Sequence, residues 1–367
     1  MATPSVVDCD VHHTPVADQL RRYLPQRWSR YYERYGVPYF NSSAYFQPRP
    51  RRMGMRADAW PPNGGVPGSD VNFMRAQLLD RCNVDVAILN CIDVAYVGME
   101  SADYSAALMS ALNDWTADLW LAADRRFVAS ICVPPEHPSR GVSEIERWAN
   151  DGRFVQVLMS LAARDPLGSQ KYWPLYEAAE AHRLPIGIHV GGVATNPVTG
   201  AGSPNFYYEL HSSYSAAAQS QLASLVLEGV FTRFPSIRFV FQESGFAWLP
   251  ALKWRLDAAW RLFREDVPQL IEAPSAQIHR GVWFTTQPIE GPGEEAAMIA
   301  LLTQADLADR LMFASDYPHW DFDSPDLALP PGLALAQKHA ILAGNAREMY
   351  GESVDKATPA ETLELGR

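Results

Sequence analysis

The stretch VVDCDVH (residues 6–12) is an apolar segment that ends in a carboxylate and an imidazole. Residues two apart on a β-strand share a face, so Asp10 and His12 are expected to point the same way. This pair supplies two of the ligand types that a first-row metal accepts. The alternative for this stretch alone is a polar strand end with a surface histidine, and the rest of the chain decides between the two.

Seven further short apolar runs follow, and helical patterns separate most of them. The eight strands are predicted at 6–12, 86–91, 127–133, 154–160, 185–190, 238–243, 282–286 and 311–316. Nearly continuous apolar runs are typical of parallel strands that are buried on both faces. Eight such βα units predict an α/β fold, a closed (β/α)8 TIM barrel. An open doubly wound sheet is the alternative, but no glycine-rich phosphate loop follows the first strand.

The domain organisation is predicted from the spacing of these runs. Residues 1–350 form a single barrel domain, and an insertion at about 14–72, after the first strand, is expected to form a lid over the active site. The insertion is rich in tyrosine, proline and arginine. Residues 351–367 are a polar tail that is expected to be loose or to make contacts in a homo-oligomer.

Composition narrows the class of protein. The 367 residues carry a formal net charge of −11, which argues against nucleic acid or an anionic membrane as a partner. No apolar run reaches the ~18 residues that a membrane span requires. The N-terminus lacks a signal-peptide pattern, and the four cysteines lack a C-x-x-C spacing, so we expect a cytoplasmic protein with reduced thiols.

Metal-ligand and acid/base residues collect at the predicted strand ends. The active site of a (β/α)8 barrel lies at the carboxyl ends of its strands, so these side chains are expected to meet at one rim. His211 is expected in the loop after strand five, just before a helix, and His13 is expected to face away from the pore. The candidate metal ligands are Asp10, His12, His189, His211, Glu243, Asp316 and His319.

These motifs resemble a family of metal-dependent (β/α)8 barrels, the amidohydrolase-related proteins that include aminocarboxymuconate-semialdehyde and resorcylate decarboxylases. The resemblance is carried by DCDVH at 8–12, IH at 188–189, EGVFTRFP at 228–235, FASDYPH at 313–319 and ILAGNAR at 341–347. It implies that one divalent metal is held by a set of four residues. That set is Asp10, His12, His189 and Asp316.

Two positions depart from the family pattern. Asp10 stands where the hydrolases usually have a histidine, and Glu243 stands where a catalytic histidine usually ends strand six. The excess of donors favours two metals, and a mixed carboxylate and imidazole set suits iron or manganese more than zinc. The pattern is similar to a branch of nonheme diiron oxygenases. That resemblance implies two Fe ions, O2, an electron donor and hydroxylation of an unactivated C–H bond in a bulky diterpenoid-type CoA thioester.

Two other functions stay open. One is a mononuclear hydrolase or decarboxylase with one Zn or Mn, in which Glu243 or His211 carries the proton. The other is a barrel that only binds a ligand. The arginines of the insertion are candidates for binding CoA phosphates, with a solvated basic loop as the alternative. They are Arg49, Arg51, Arg52 and Arg56.

Overall fold

The computed structural model describes residues 5–35, 54–91, 101–192, 199–202, 204–289 and 294–358. Its centre is a parallel sheet of eight strands in the order β1 to β8 along the chain. The strands are β1 Val7–Val11, β2 Val86–Leu89, β3 Phe127–Cys132, β4 Phe154–Ala162, β5 Ile186–Gly192, β6 Phe239–Gln242, β7 Val282–Thr285 and β8 Leu311–Met312. Each of the eight predicted strands is present, which confirms the predicted barrel.

The barrel closes where the chain after β8 returns to β1. The amide of Cys9 donates to the carbonyl of Phe313 at 2.9 Å, and the amide of His12 donates to that of Tyr317 at 2.8 Å. A parallel bridge also joins Val11 to Tyr317. Regular pairing in β8 covers two residues only, because the Phe313 amide bonds instead to the carbonyl of Ile341.

Helices surround the sheet between consecutive strands. We number them α1 Ala17–Arg21, α2 Gln26–Tyr35, α3 Val71–Met74, α4 Ala102–Trp115, α5 Pro138–Trp148, α6 Trp173–Ala181, α7 Tyr207–Leu227, α8 Val230–Arg233, α9 Leu249–Leu262, α10 Pro274–Gly281, α11 Glu295–Gln304, α12 Leu335–His339, α13 Asn345–Tyr350 and α14 Glu352–Ala357. Turns of π-helix extend α3 and α4 and join α12 to α13. Among the described residues, no helix combines the length and apolarity that a membrane crossing requires.

Helix α7 begins earlier than the sequence predicts, so the prediction that His211 lies in a loop is wrong. The carboxylate of Glu209 accepts the backbone amides of Asn205 and Phe206 at 2.7 and 2.8 Å. This capping interaction starts the helix at Tyr207, because it satisfies amides that have no partner within the helix. His211 therefore projects from the second turn of a helix.

The interior of the barrel changes character along its axis. The end where the strands begin is filled by apolar side chains such as Val86, Val128, Val240 and Trp283. Nearer the carboxyl ends, a layer of buried amide and hydroxyl side chains replaces them. That layer contains Asn90, Ser130, Gln156 and Gln242. Gly187 on β5 leaves room for it, because a Cβ there would lie 2.7 Å from Gln242 Oε1.

The described parts of the insertion reach the carboxyl end of the barrel. Met55 forms an antiparallel bridge with His319, and the Trp320 amide donates to the Gly54 carbonyl at 2.8 Å. At the opposite end of the chain, α14 opens the segment predicted as the tail, and its Val354 is fully buried. The lid itself and a loose tail remain predictions, since residues 36–53 and 359–367 lie outside the described ranges.

Candidate metal centre

Four of the predicted ligands converge at the carboxyl end of the barrel. His12 Nε2 lies 2.7 Å from Asp316 Oδ1 and 3.5 Å from Asp10 Oδ1. His189 Nε2 lies 3.0 Å from Asp10 Oδ2, so Asp10 stands between the two imidazoles. Each of these four side chains is at most 2% exposed. Residues from β1, β5 and the segment after β8 thus meet although up to 306 positions separate them in sequence.

Two more histidines and two more carboxylates border this group. His319 Nδ1 donates to Asp316 Oδ1 at 2.7 Å. Glu243 Oε2 lies 3.6 Å from His189 Nε2, and its other oxygen lies 3.8 Å from His211 Nε2. His211 Nε2 is also 3.2 Å from Asp321 Oδ2, a contact that the sequence analysis missed. In the sequence, the one indication that Asp321 belongs to the site is its position two residues after His319. Acidic residues in loops are too common for this position alone to predict a role.

Two of the carboxylates sit on unusual backbone. Glu243 directly follows β6 with φ 50°, and Asp316 follows β8 with φ 57°. Both values lie in the left-handed region, which residues other than glycine enter rarely and at a cost of about 1–3 kcal/mol. The Glu243 amide donates to Thr285 Oγ1 at 3.2 Å, and the Asp316 amide donates to the Asp10 carbonyl at 3.1 Å. These contacts hold the two turns in place.

Burial and mutual contact set the charges of the group. Burial alone lowers the pKa of His12, but the carboxylates of Asp10 and Asp316 outweigh it and raise that pKa to about 9. Burial raises the pKa of Asp316, but His319 and His12 outweigh it and hold the value below its ordinary range. Burial raises the pKa of Glu243 well above its usual value, and the nearby carboxylates add to the effect.

A divalent cation fits these residues. Two overlapping sets place one ligand atom per residue within 4.8 Å of each other. They are Asp10, His12 and His189, and His12, Glu243, Asp316 and His319. Asp316 Oδ2 is buried and has no hydrogen-bond partner, which is costly for a carboxylate oxygen unless a cation meets it. Mixed carboxylate and imidazole donors are ligands for manganese, iron and zinc.

His13 lies apart from the group. Its ring stacks on Trp115 at 5.1 Å between centroids, and its Nε2 lies 2.8 Å from Thr116 Oγ1. Burial lowers the pKa of His13 to about 3, so the ring stays neutral. These contacts belong to the layer between the barrel and α4, which agrees with the expectation that His13 faces away from the pore.

Of the four arginines proposed for CoA binding, one lies among the described residues and three do not. Arg49, Arg51 and Arg52 lie outside the described residues. Arg56 is described, and its guanidinium forms two hydrogen bonds with the Asp58 carboxylate, at 2.9 and 2.8 Å. It also lies over the ring of Phe322 at 4.1 Å. A guanidinium that already holds a carboxylate in this way is not poised to receive a phosphate.

Comparison with known proteins places this architecture in a family. The amidohydrolase family model matches residues 7–351, so the chain belongs to the amidohydrolase family. It is 22% identical over 301 residues to gamma-resorcylate decarboxylase of Rhizobium radiobacter, covering 77% of this chain and 87% of that protein.

Solved structures show the same fold. An amidohydrolase from Mycobacterium avium subsp. paratuberculosis superposes with a TM-score of 0.72 at 21% identity, covering 96% of this chain and 99% of that one. A dihydroxybenzoic acid decarboxylase from Polaromonas, solved with bound manganese and the inhibitor 2-nitroresorcinol, has a TM-score of 0.66 at 17% identity. The coverage there is 98% of this chain and 99% of the other.

These relatives correct the predicted reaction. They are decarboxylases and an amidohydrolase, and the manganese structure is a decarboxylase. The prediction of a diiron monooxygenase is therefore wrong, and its alternative, a hydrolase or decarboxylase of this family, is supported instead. Two Fe ions, O2, an electron donor and a CoA thioester likewise find no support. The error came from Glu243, since a missing histidine was interpreted as a change of reaction.

Proposed function

We propose that the protein is a metal-dependent decarboxylase that acts on a small aromatic carboxylate. The observation that carries the proposal is the buried group of two carboxylates and two imidazoles at the carboxyl end of an amidohydrolase-family barrel. Asp10, His12, His189 and Asp316 would hold one divalent ion, Mn²⁺ or Zn²⁺. When bound, the ion supplies a Lewis acid that orients and polarises the oxygen atoms of the substrate.

The reaction needs a proton and no oxidant. The bond between the ring carbon and the carboxyl group breaks, its electron pair stays on the ring carbon, that carbon takes a proton, and CO2 leaves. Glu243 is the proposed proton carrier, because its carboxyl lies between His189 and His211 at 3.6 and 3.8 Å. Its Oε1, on the side of His211, is the atom assigned to hold the proton.

His211 is proposed to position Glu243. Its Nε2 lies between Glu243 Oε1 at 3.8 Å and Asp321 Oδ2 at 3.2 Å. Both carboxylates face this one nitrogen, so His211 would link Glu243 to Asp321.

The substrate class rests on the aromatic side chains beside this group. Tyr207 and Trp320 both lie 6.1 Å from the His211 ring between centroids, and Tyr208 lies 5.9 Å from Trp320. Trp320 is 43% exposed and Tyr208 is 67% exposed, so aromatic surface extends from His211 towards solvent. Such a wall favours a planar aromatic ring through edge-to-face and offset contacts.

An anaerobic assay with a small panel of aromatic acids tests the proposal. The purified protein is freed of metal, reloaded with Mn²⁺ or Zn²⁺, and incubated without O2 with 2,6-dihydroxybenzoate and other hydroxylated benzoates while CO2 release is measured. We expect CO2 from at least one acid, and we expect a chelator to abolish it. A reaction that requires O2, or no CO2 from any acid in the panel, would contradict the proposal.

Asp316→Asn is the matched variant for this assay. Asparagine keeps the shape of the side chain and tolerates the left-handed backbone, but it removes the charge that binds a cation. We expect loss of both metal and CO2 release. Asp124→Asn is the control, because Asp124 pairs with Arg126 before β3, at the other end of the barrel. It should retain both.

A further inference from the structure

We propose that Asn90 is a positioning residue that sets both the orientation of Asp10 and the ring tautomer of His12. This inference rests on the metal site of the proposed function and extends it to a residue that is not a ligand. Asn90 follows β2 directly and is fully buried. It contacts both residues that the first strand contributes to the site.

The backbone of Asn90 acts on His12. Its carbonyl oxygen lies 2.9 Å from His12 Nδ1. A carbonyl oxygen can only accept, so Nδ1 must carry a hydrogen, and Nε2, which lies 2.7 Å from Asp316 Oδ1, is the nitrogen that a bound cation would meet. His12 Nε2 is the atom that lies nearest to Asp10 and Asp316. Metal-binding histidines in general have such a partner for their second nitrogen.

The side chain of Asn90 acts on Asp10. Its Nδ2 donates to Asp10 Oδ1 at 2.8 Å, which fixes the rotation of the carboxylate. Asp10 Oδ2 then faces His189 Nε2 at 3.0 Å. One residue therefore restrains a carboxylate and an imidazole that come from the same strand end.

A hydrogen-bonded chain determines which way the Asn90 amide points. Ser130 Oγ donates to Asn90 Oδ1 at 2.5 Å, and Gln156 Nε2 donates to the same atom at 3.2 Å. Turning the amide over would bring its NH2 group against the NH2 group of Gln156, which cannot accept a hydrogen bond. Tyr350 extends the chain, because its hydroxyl donates to Gln156 Oε1 at 3.0 Å. The NH2 group therefore faces Asp10 Oδ1 and, at 3.5 Å, the carbonyl of Cys9.

A role in barrel stability alone does not explain this layer. The interior positions of β2 and β3 two residues earlier are Ile88 and Val128, which fill the barrel without any polar group. Buried amides cost free energy unless every donor and acceptor is met, so an apolar layer would be the simpler solution. The series of hydrogen bonds that starts at Tyr350 ends instead on a proposed metal ligand, Asp10. Its position points to a function in holding Asp10.

Asn90→Leu and Asn90→Ala test the inference with Mn²⁺ as the probe. Leucine keeps the volume and removes the donor, while alanine leaves space for water and serves if leucine prevents folding. Both keep the backbone carbonyl that contacts His12. We expect the Kd for Mn²⁺, measured by competition with a chelator, to rise about 10–100-fold, as is typical for residues that orient ligands. The electron paramagnetic resonance spectrum of bound Mn²⁺ should also change.

Asn345→Leu and Asn345→Ala are the matched controls. Asn345 is also buried, and its amide donates to the carbonyls of Ala308 and Leu311, away from the site. These variants should lower the melting temperature and leave the Kd and the spectrum unchanged. If the Asn90 variants bind Mn²⁺ as the wild type does, or the Asn345 variants weaken binding equally, the inference is overturned. If the wild type itself binds no Mn²⁺, the proposed function fails first, and the role of Asn90 falls with it.

Discussion

The strand ends around the mouth of the barrel fall into two adjoining groups. The chain at the ends of β1, β5, β6 and β8 supplies charged or ionisable side chains, together with the neutral amide of Gln242 on β6. The charged or ionisable ones are Asp10, His12, His189, Glu243 and Asp316. The chain at the ends of β2, β3 and β4 supplies neutral ones, namely Asn90, Ser130 and Gln156. The first group is called the ligand side here, and the second the amide side.

The difference between the two sides indicates separate roles. The ligand side would bind the metal, and the amide side would orient a ligand. The ligand side brings together three buried carboxylates, and each is costly unless a cation or a hydrogen-bond donor meets it. The amide side carries no charge and makes the contact that restrains Asp10. Removing a ligand should therefore abolish metal binding, whereas changing the amide side should weaken it by degrees.

The largest effect is expected on the ligand side, from His189→Asn. The variant loses an imidazole that lies 3.0 Å from Asp10, and asparagine is too short to replace it. We expect metal to be absent after dialysis and CO2 release to fall to the level of the chelator-treated protein, because the Lewis acid is lost. Elemental analysis and the decarboxylation assay measure the two losses. Metal content equal to the wild type would remove His189 from the ligand set.

Glu243→Gln separates proton transfer from metal binding. If Glu243 carries the proton, kcat should fall by about 10²–10⁴-fold with metal content unchanged, because glutamine is isosteric but cannot donate an acidic proton. Stopped-flow assays beside elemental analysis give both quantities. Loss of metal in this variant would instead make Glu243 a ligand, in line with its proximity to His12, Asp316 and His319.

Gln156→Leu tests the amide side at one step from the ligands. The substitution removes a donor from the oxygen acceptors of Asn90 and Ser130, and it removes the acceptor of the Tyr350 hydroxyl. We expect the free energy of unfolding of the metal-free protein to fall by about 1–3 kcal/mol, measured by urea denaturation. Metal affinity should fall less than in the Asn90 variants. An effect on affinity as large as that of His189→Asn would erase the distinction between the two sides.

Gly68→Ala tests whether the insertion supports the backbone at His12, in addition to the ligand side and the amide side. Gly68 has φ 78°, and a Cβ there would lie 2.6 Å from the carbonyl oxygen of His12. The strained backbone and the close contact predict a loss of about 1–3 kcal/mol in thermal unfolding experiments. Gly64→Ala is the control, because its φ is similar but no atom lies within 4 Å of its Cβ position. Equal losses in both variants would mean that the contact with His12 contributes nothing.

The smallest effect is expected from Arg56→Ala. Its pair with Asp58 is partly exposed, so its loss should change the free energy of unfolding by about 0–1 kcal/mol. Loss of the contact with the Phe322 ring could add a similar amount. Metal affinity should not change, as measured by the same chelator competition. A large loss of affinity would connect this part of the insertion to the ligand side.

The sequence predicted the ligand side better than the amide side, and the reason is physical. Asp10, His189 and Asp316 end apolar runs, and a charged residue directly after a buried strand is conspicuous. Asn90 and Gln156 are neutral residues at or near the ends of parallel strands. Asparagine and glutamine are equally common in exposed loops, so their residue type does not reveal a hydrogen-bonded network. Their role depends on distances between four strands, which only the folded barrel sets.

The barrel was predictable because each strand is a nearly continuous apolar run. The start of α7 was not, because its cap depends on Glu209 reaching back to the amides of Asn205 and Phe206. The reaction was mispredicted for a different reason. Glu243 at the end of β6 suggested a different reaction, whereas the remaining motifs resemble those of the decarboxylases. Glu243 itself is compatible with proton transfer as well as with metal binding.

The left-handed backbone at Glu243 and Asp316 has a consequence for anyone who evolves this protein in the laboratory. Glycine relieves the steric cost at such positions, so a selection for heat resistance alone should favour glycine at both. Each of those substitutions would delete a carboxylate from the mouth of the barrel. Thermostability and activity are therefore expected to trade against each other at these two codons, and libraries built for robustness should hold them fixed.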